Sequence, residues 1–97
     1  MTVFAVQYTY DDRAQRRDEV RPAHRAYLAR LLDLGSLLAS GPFGDDGPAG
    51  ALLVVSAESG DEVADLLDAD PFVREGLVAH RVVRAWTQVF GPWTPAA

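Results

Sequence analysis

The sequence predicts an α+β domain of the split βαβ type, in which strand, helix, strand, strand, helix and strand follow one another. Three observations carry this. Runs rich in β-branched and aromatic residues stand near both ends of the chain, and two more apolar runs flank a Gly-rich turn in its middle. Between the first two runs, apolar residues recur every three to four positions. A shorter stretch of the same period follows a Ser-x-x-Glu box.

The first strand is Val3 to Tyr10. Phe4, Val6, Tyr8 and Tyr10 fall on one parity and Val3, Ala5, Gln7 and Thr9 on the other; both are fairly apolar, as in a central strand. Asp11-Asp12 ends it and can cap the next element. Arg13 to about Leu34 reads as helix, with Val20, His24, Tyr27, Leu28, Leu31, Leu32 and Leu34 on one stripe. Pro22 leaves two arrangements open, because proline suits only a first helical turn. Either a short helix precedes a main one starting there, or one long helix is kinked. Gly35 is a good C-terminal stop.

Leu37 to Ser40 form a short strand ending at Gly41-Pro42. The run Gly44-Asp45-Asp46-Gly47-Pro48 is a turn, and Ala51 to Ala57 is the second strand of a hairpin. Ser59-Gly60-Asp61-Glu62 opens the second helix, whose apolar residues are Val63, Ala64, Leu66 and Leu67. Asp70-Pro71 closes it. Phe72 to Leu77 is a linker or helical turn. Val78 to Phe90 is the last strand, stopped by Gly91-Pro92, and residues 92–97 are irregular. Assembled, this is the ferredoxin-like βαββαβ fold, a four-stranded antiparallel sheet with both helices on one face. The other face is apolar too, so a homodimer packed sheet to sheet is expected.

Composition bounds the function. The 97 residues make one domain, 1–97, able to bury about 64% of its unfolded surface. There is no cysteine, which excludes disulfides and thiolate chemistry. The net charge is −5 and every basic residue is Arg, with no basic patch, so no nucleic-acid partner is expected. No apolar run is long enough to span a membrane, and Met1-Thr2-Val3-Phe4 lacks the features of a signal peptide. A cytoplasmic protein is expected.

His24 carries the most information. It falls inside the apolar stripe between Val20, Tyr27, Leu28 and Leu31, so its ring faces the sheet. Either it is a buried ring with one satisfied hydrogen bond that fixes the helix, or it is a general acid/base. Asp70 stands at the end of the second helix, where the helix dipole disfavours a carboxylate. It either caps the Asp-Pro turn or has a partner. Because both helices lie on one sheet face, His24 and Asp70 can meet, and a carboxylate on one ring nitrogen fixes the tautomer and raises the basicity of the other.

The strings Val20-Arg21-Pro22-Ala23-His24-Arg25-Ala26-Tyr27-Leu28, Ser40-Gly41-Pro42 and Asp68-Ala69-Asp70-Pro71-Phe72 resemble the signature of the YciI-like (YCII-related) family. The similarity runs from Val3 to about Gly91. The resemblance implies the dimeric α+β barrel fold, shared with muconolactone isomerase, and a pocket centred on a His–Asp pair at His24 and Asp70. Ser40, Gly41 and Pro42 are taken as substrate-binding positions beside that pair, although many relatives carry alanine where Ser40 stands. Assigned relatives include a dehydrochlorinase of a chlorinated hydroxyhydroquinone.

Other residues have two readings each. Arg21 binds an anionic substrate group or pairs with an acidic neighbour such as Asp18. Tyr8, Phe43 and Phe72 wall an apolar pocket or belong to the core. Gly41-Pro42 lacks phosphate-loop spacing. His80 is the other histidine, and no close carboxylate pattern supports a metal site. No cofactor is expected, haem included. The expected function is a cofactor-independent enzyme of lyase, isomerase or cyclase type on an aromatic, quinol or lactone-like metabolite, with His24 moving a proton and Asp70 orienting it. The alternative is a non-catalytic dimeric binding module. A purely structural domain would leave His24 walled in; an open cavity touching both His24 and Asp70 speaks against that.

Overall fold

The computed structural model describes residues 1–93. Beyond Trp93 the irregular tail expected from the sequence lies outside the described residues. The elements are β1 (Thr2–Tyr10), α1 (Ala14–Asp33), β2 (Leu37–Pro42), β3 (Gly50–Ala57), α2 (Gly60–Asp68), the single turn α3 (Pro71–Arg74) and β4 (Val78–Ala85). The strands form one antiparallel sheet in the order β2-β3-β1-β4. This is the ferredoxin-like α+β fold. Phe4, Val6 and Tyr8 of β1 and Leu53 and Val55 of β3 pack against Leu28 and Leu31 of α1 and Val63 and Leu67 of α2, so one sheet face holds the core.

The first helix runs unbroken through Pro22, which settles the choice the sequence left open. Proline removes one helical hydrogen bond, but Pro22 lies on the exposed side, where water can serve the carbonyl it leaves free. Val20, His24, Leu28 and Leu31 on the opposite side are buried and hold the helix to the sheet. The expectation that Asp11-Asp12 caps this helix needs correcting: Arg13 is the cap residue, and its side chain makes no cap hydrogen bond. Asp11 instead accepts from the Arg13 amide at 3.1 Å and its guanidinium at 2.6 Å. The buried Arg17 reaches the Asp11 carbonyl and lies 5.0 Å from the Tyr10 ring centre. At the far end, Gly35 adopts φ 81°, and Ser36 and Gly35 donate to the Leu31 and Leu32 carbonyls, a Schellman stop.

Two irregularities in the sheet matter for the site. A bulge in β2 places two residues of that strand opposite one step of β3, since Leu37 pairs with Val55 but Ala39 with Val54. The parity therefore changes, and Ser40 and Pro42 join Leu37 on the helix side. At the start of β3, a Cβ on Gly50 would sit 2.1 Å from the Tyr8 carbonyl oxygen, so only glycine permits that approach.

The last strand stops at Ala85, five residues before the Phe90 expected from propensity. The Trp86 amide still donates to the Val3 carbonyl, but β1 begins at Thr2 and offers no further partner. On the open face, Leu52 is 40% exposed and Val82 48%. Phe43, Trp86 and Trp93 wall a groove of about 410 Å³ there, over Ala5, Ala39 and Val54. Among the described residues, no helix is long and apolar enough to cross a membrane.

Candidate active site

The site forms where α1 passes the junction of α2 and α3. One turn of α1 separates His24 from Val20 and another from Leu28, so helical period alone delivers the imidazole to the core side. Asp70 sits in that junction with φ −63° and ψ 126°, the extended backbone that a following proline imposes. It is the cap of α3, with Pro71 at the first helical position, and its Oδ1 accepts from the Phe72 amide at 3.0 Å.

The same oxygen takes His24 Nδ1 at 2.7 Å, and Oδ2 takes the Tyr8 hydroxyl at 3.0 Å. Capping and partnering are thus one role. Asp70 is fully buried and has three donors, which is what a buried carboxylate needs to stay charged. A carboxylate only accepts, so Nδ1 carries a proton, and the tautomer that this contact selects has its free lone pair at Nε2. The Phe72 ring stacks on the imidazole at 3.9 Å with the planes 6° apart, and Tyr10 meets Phe72 edge-on at 5.5 Å. The imidazole is therefore fixed along one edge and one face.

His24 lines a cleft of about 600 Å³. Its Nε2 has no hydrogen-bond partner among the described residues, and no buried side-chain nitrogen or oxygen there lacks one. It follows that Nε2 is open to the cleft. The expected cavity touching both members of the pair needs correcting: the cleft touches His24, while Asp70 is fully buried behind the ring because its oxygens are taken up by three donors.

Burial pushes the Tyr8 phenol well above its ordinary value, and the charge and hydrogen bond of Asp70 push it further. The Tyr10 phenol is raised by burial first and by Asp70 second, against Arg17 and Arg21. The sign of the linkage follows. A phenol that stays protonated in the folded state holds a proton the unfolded chain gives up near pH 10, so its stabilising effect is complete below about pH 10 and declines above it. Tyr8→Phe is expected to lose about 1.5–3 kcal/mol at neutral pH, the value of a hydrogen bond to a charged group. It is also expected to lose less than the parent protein between about pH 9 and 11. Urea unfolding across that range checks both; an unchanged alkaline slope in the variant would contradict the assignment.

The sequence-expected residues fall in three places. Arg21, His24, Ser40, Gly41, Pro42 and Phe72 line the cleft. Tyr8 and Asp70 stand behind it, Tyr8 as a support for the carboxylate. Phe43 lies at the groove on the open sheet face, and His80 is exposed on β4 with its backbone opposite Thr9. Arg21 is paired with Asp18 at 2.5 Å, as the second of its readings expected, and it also borders the cleft. The cleft also contains Tyr10, Arg25, Leu28, Ala51 and Leu53, which sequence reasoning did not single out. Arg25 was findable: it follows His24 and stands four residues after Arg21, hence on the same helical face. Among the described residues, no three His, Asp or Glu side chains gather as a metal-ligand set.

The sequence matches the family model of the YCII-related domain over residues 1–87. The chain belongs to the YCII-related family. Among its relatives, Protein YciI of Escherichia coli O6:H1 and Protein YciI of Shigella flexneri are each 36% identical over 87 residues, covering 81% of this chain and 89% of theirs. A solved structure of 5-chloro-2-hydroxyhydroquinone dehydrochlorinase (TftG) from Burkholderia phenoliruptrix AC1100, in complex with 2,5-dihydroxybenzoquinone, is similar with a TM-score of 0.77. It is 30% identical, and the match covers 88% of this chain and 93% of that one. In this YCII-related chain, the His24–Asp70 pair, its two supports and the cleft-lining residues of α1 and β2 all lie within the matched region.

Proposed function

We propose that this YCII-related protein is a cofactor-independent acid/base enzyme acting on a small aromatic, quinol or lactone-like metabolite, of lyase, isomerase or cyclase type. One observation carries the reading: His24 Nδ1 is held by a fully buried carboxylate at 2.7 Å while Nε2 opens onto the cleft. A bare Nε2 takes a proton from a hydroxyl or an activated carbon of the substrate, and Asp70 stabilises the imidazolium that forms. Tyr8 and the Phe72 amide hold the carboxylate in line. A cleft of about 600 Å³ suits a single-ring compound. The name of TftG supports the reading, because removal of hydrogen chloride from a hydroquinone requires a base and a leaving chloride.

We also propose that a second copy of the chain covers the open sheet face, where Leu52 and Val82 remain about half exposed. Light scattering at micromolar concentration is expected to give a dimer; a monomer would overturn this part.

The functional reading is tested by a thermal-shift screen of aromatic acids, quinols and lactones, with 2,5-dihydroxybenzoquinone as the first compound. A ligand of the native state at a hundredfold its Kd adds about 2.7 kcal/mol of apparent stability, enough to raise Tm by several degrees. Compounds that raise Tm are then assayed for turnover. A folded protein that no member of the panel stabilises would overturn the substrate class.

A further inference from the structure

The charge of the cleft runs against that of the chain. The protein carries a net charge of −5, yet no Asp or Glu lines the cleft, while Arg21 and Arg25 do. Asp70, the acid behind the cleft, is screened by the imidazole and already takes three donors. The two arginines are not equivalent. Arg21 is matched by Asp18 at 2.5 Å. Arg25 makes no ion pair and no hydrogen bond with any described residue, although it stands beside His24 at the exposed edge of the cavity. The remaining walls are largely apolar and include Leu28, Pro42, Leu53 and Phe72.

An unmatched guanidinium at the edge of a cavity with apolar walls suits a flat apolar body with a planar anionic group at one end. The guanidinium fork matches a carboxylate in two parallel hydrogen bonds, and low-dielectric walls strengthen the attraction. We propose that the cleft selects an aromatic ring bearing a carboxylate, and that Arg25 is the specificity-determining residue that receives this group. With the carboxylate on Arg25, the ring lies against the apolar walls of the cleft that His24 also lines. The proposal rests on the cleft being the reacting site, as put forward above, and names its substrate class.

The test is a calorimetric titration with a matched pair of probes, 2,5-dihydroxybenzoate and 2,5-dihydroxybenzamide. They differ in one charged group. The parent protein is expected to bind the benzoate about tenfold more tightly, the scale of one charge-assisted hydrogen bond, with the advantage shrinking as salt is added. Arg25→Gln is expected to bring the two probes within about twofold by weakening the benzoate alone, and Arg21→Gln to change the preference less. Arg25 is exposed and unpaired, so its replacement leaves the fold intact, which a thermal melt verifies. Equal binding of the two probes by the parent protein, a preference retained in Arg25→Gln, or no measurable binding of the benzoate would each overturn the proposal. Selectivity is read at Arg25 without turnover, whereas proton transfer is read at His24 by turnover, so the two readings fail separately.

Discussion

Asp70→Ala is expected to lower the unfolding free energy by about 3–5 kcal/mol. The carboxylate is fully buried and answers three donors from three segments: the Tyr8 hydroxyl on β1, His24 Nδ1 on α1 and the Phe72 amide on α3. Removing it strands all three at once. None has another acceptor among the described residues, and a stranded buried donor costs its own desolvation, about 1–3 kcal/mol. Asp70→Asn behaves differently. It keeps the shape and one carbonyl oxygen, so its stability loss is expected to be smaller. However, an amide no longer forces the proton onto Nδ1, and it does not stabilise an imidazolium. Urea unfolding followed by circular dichroism measures the two losses. A cost below about 1 kcal/mol for Asp70→Ala would show that the three donors are served some other way.

The same junction shows what a sequence can and cannot reveal. The meeting of His24 and Asp70 was legible because each step is local: helical period puts His24 on the stripe, proline sets the Asp70 backbone, and the order of elements puts both helices on one sheet face. The Ser59 box was legible for the same reason, and Glu62 donates its amide to the Ser59 hydroxyl at 3.2 Å. Other features depend on partners distant in sequence. Val78 to Phe90 has strand propensity throughout, yet β4 ends where β1 ceases to offer hydrogen bonds. The β2 bulge, which turns Ser40 and Pro42 toward the cleft, exists only in the pairing with β3 and leaves no mark in residues 37–42. Tyr8 carries an aromatic ring that suits a pocket wall or a core equally. Only the fold shows that its hydroxyl serves Asp70. Pro22 was ambiguous because propensity weighs it as a breaker, while the buried face of α1 outweighs the one hydrogen bond it removes.

The second large effect concerns chemistry rather than stability. His24→Ala removes the bare Nε2 from the cleft, and a positioned base supplies about 10²–10⁴-fold in rate. A contribution of that kind arises in the transition state, so on the proposed function turnover is expected to fall while the affinity for the bound compound stays nearly constant. Asp70→Asn is expected to act in the same direction, since the wrong tautomer leaves Nε2 protonated. The ring of His24 also stacks on Phe72, so its removal leaves a space in a packed region. His24→Gln, which fills more of that space and can still donate to Asp70, serves as the companion variant. It leaves a smaller space than alanine and lacks the base.

The most direct measurement is kcat and Kd for the parent protein and for folded His24→Ala, with a compound from the ligand screen that is turned over. The account predicts a kcat lower by about 10²–10⁴-fold, with Kd changed by no more than about threefold. A folded His24→Ala variant with undiminished kcat would contradict it.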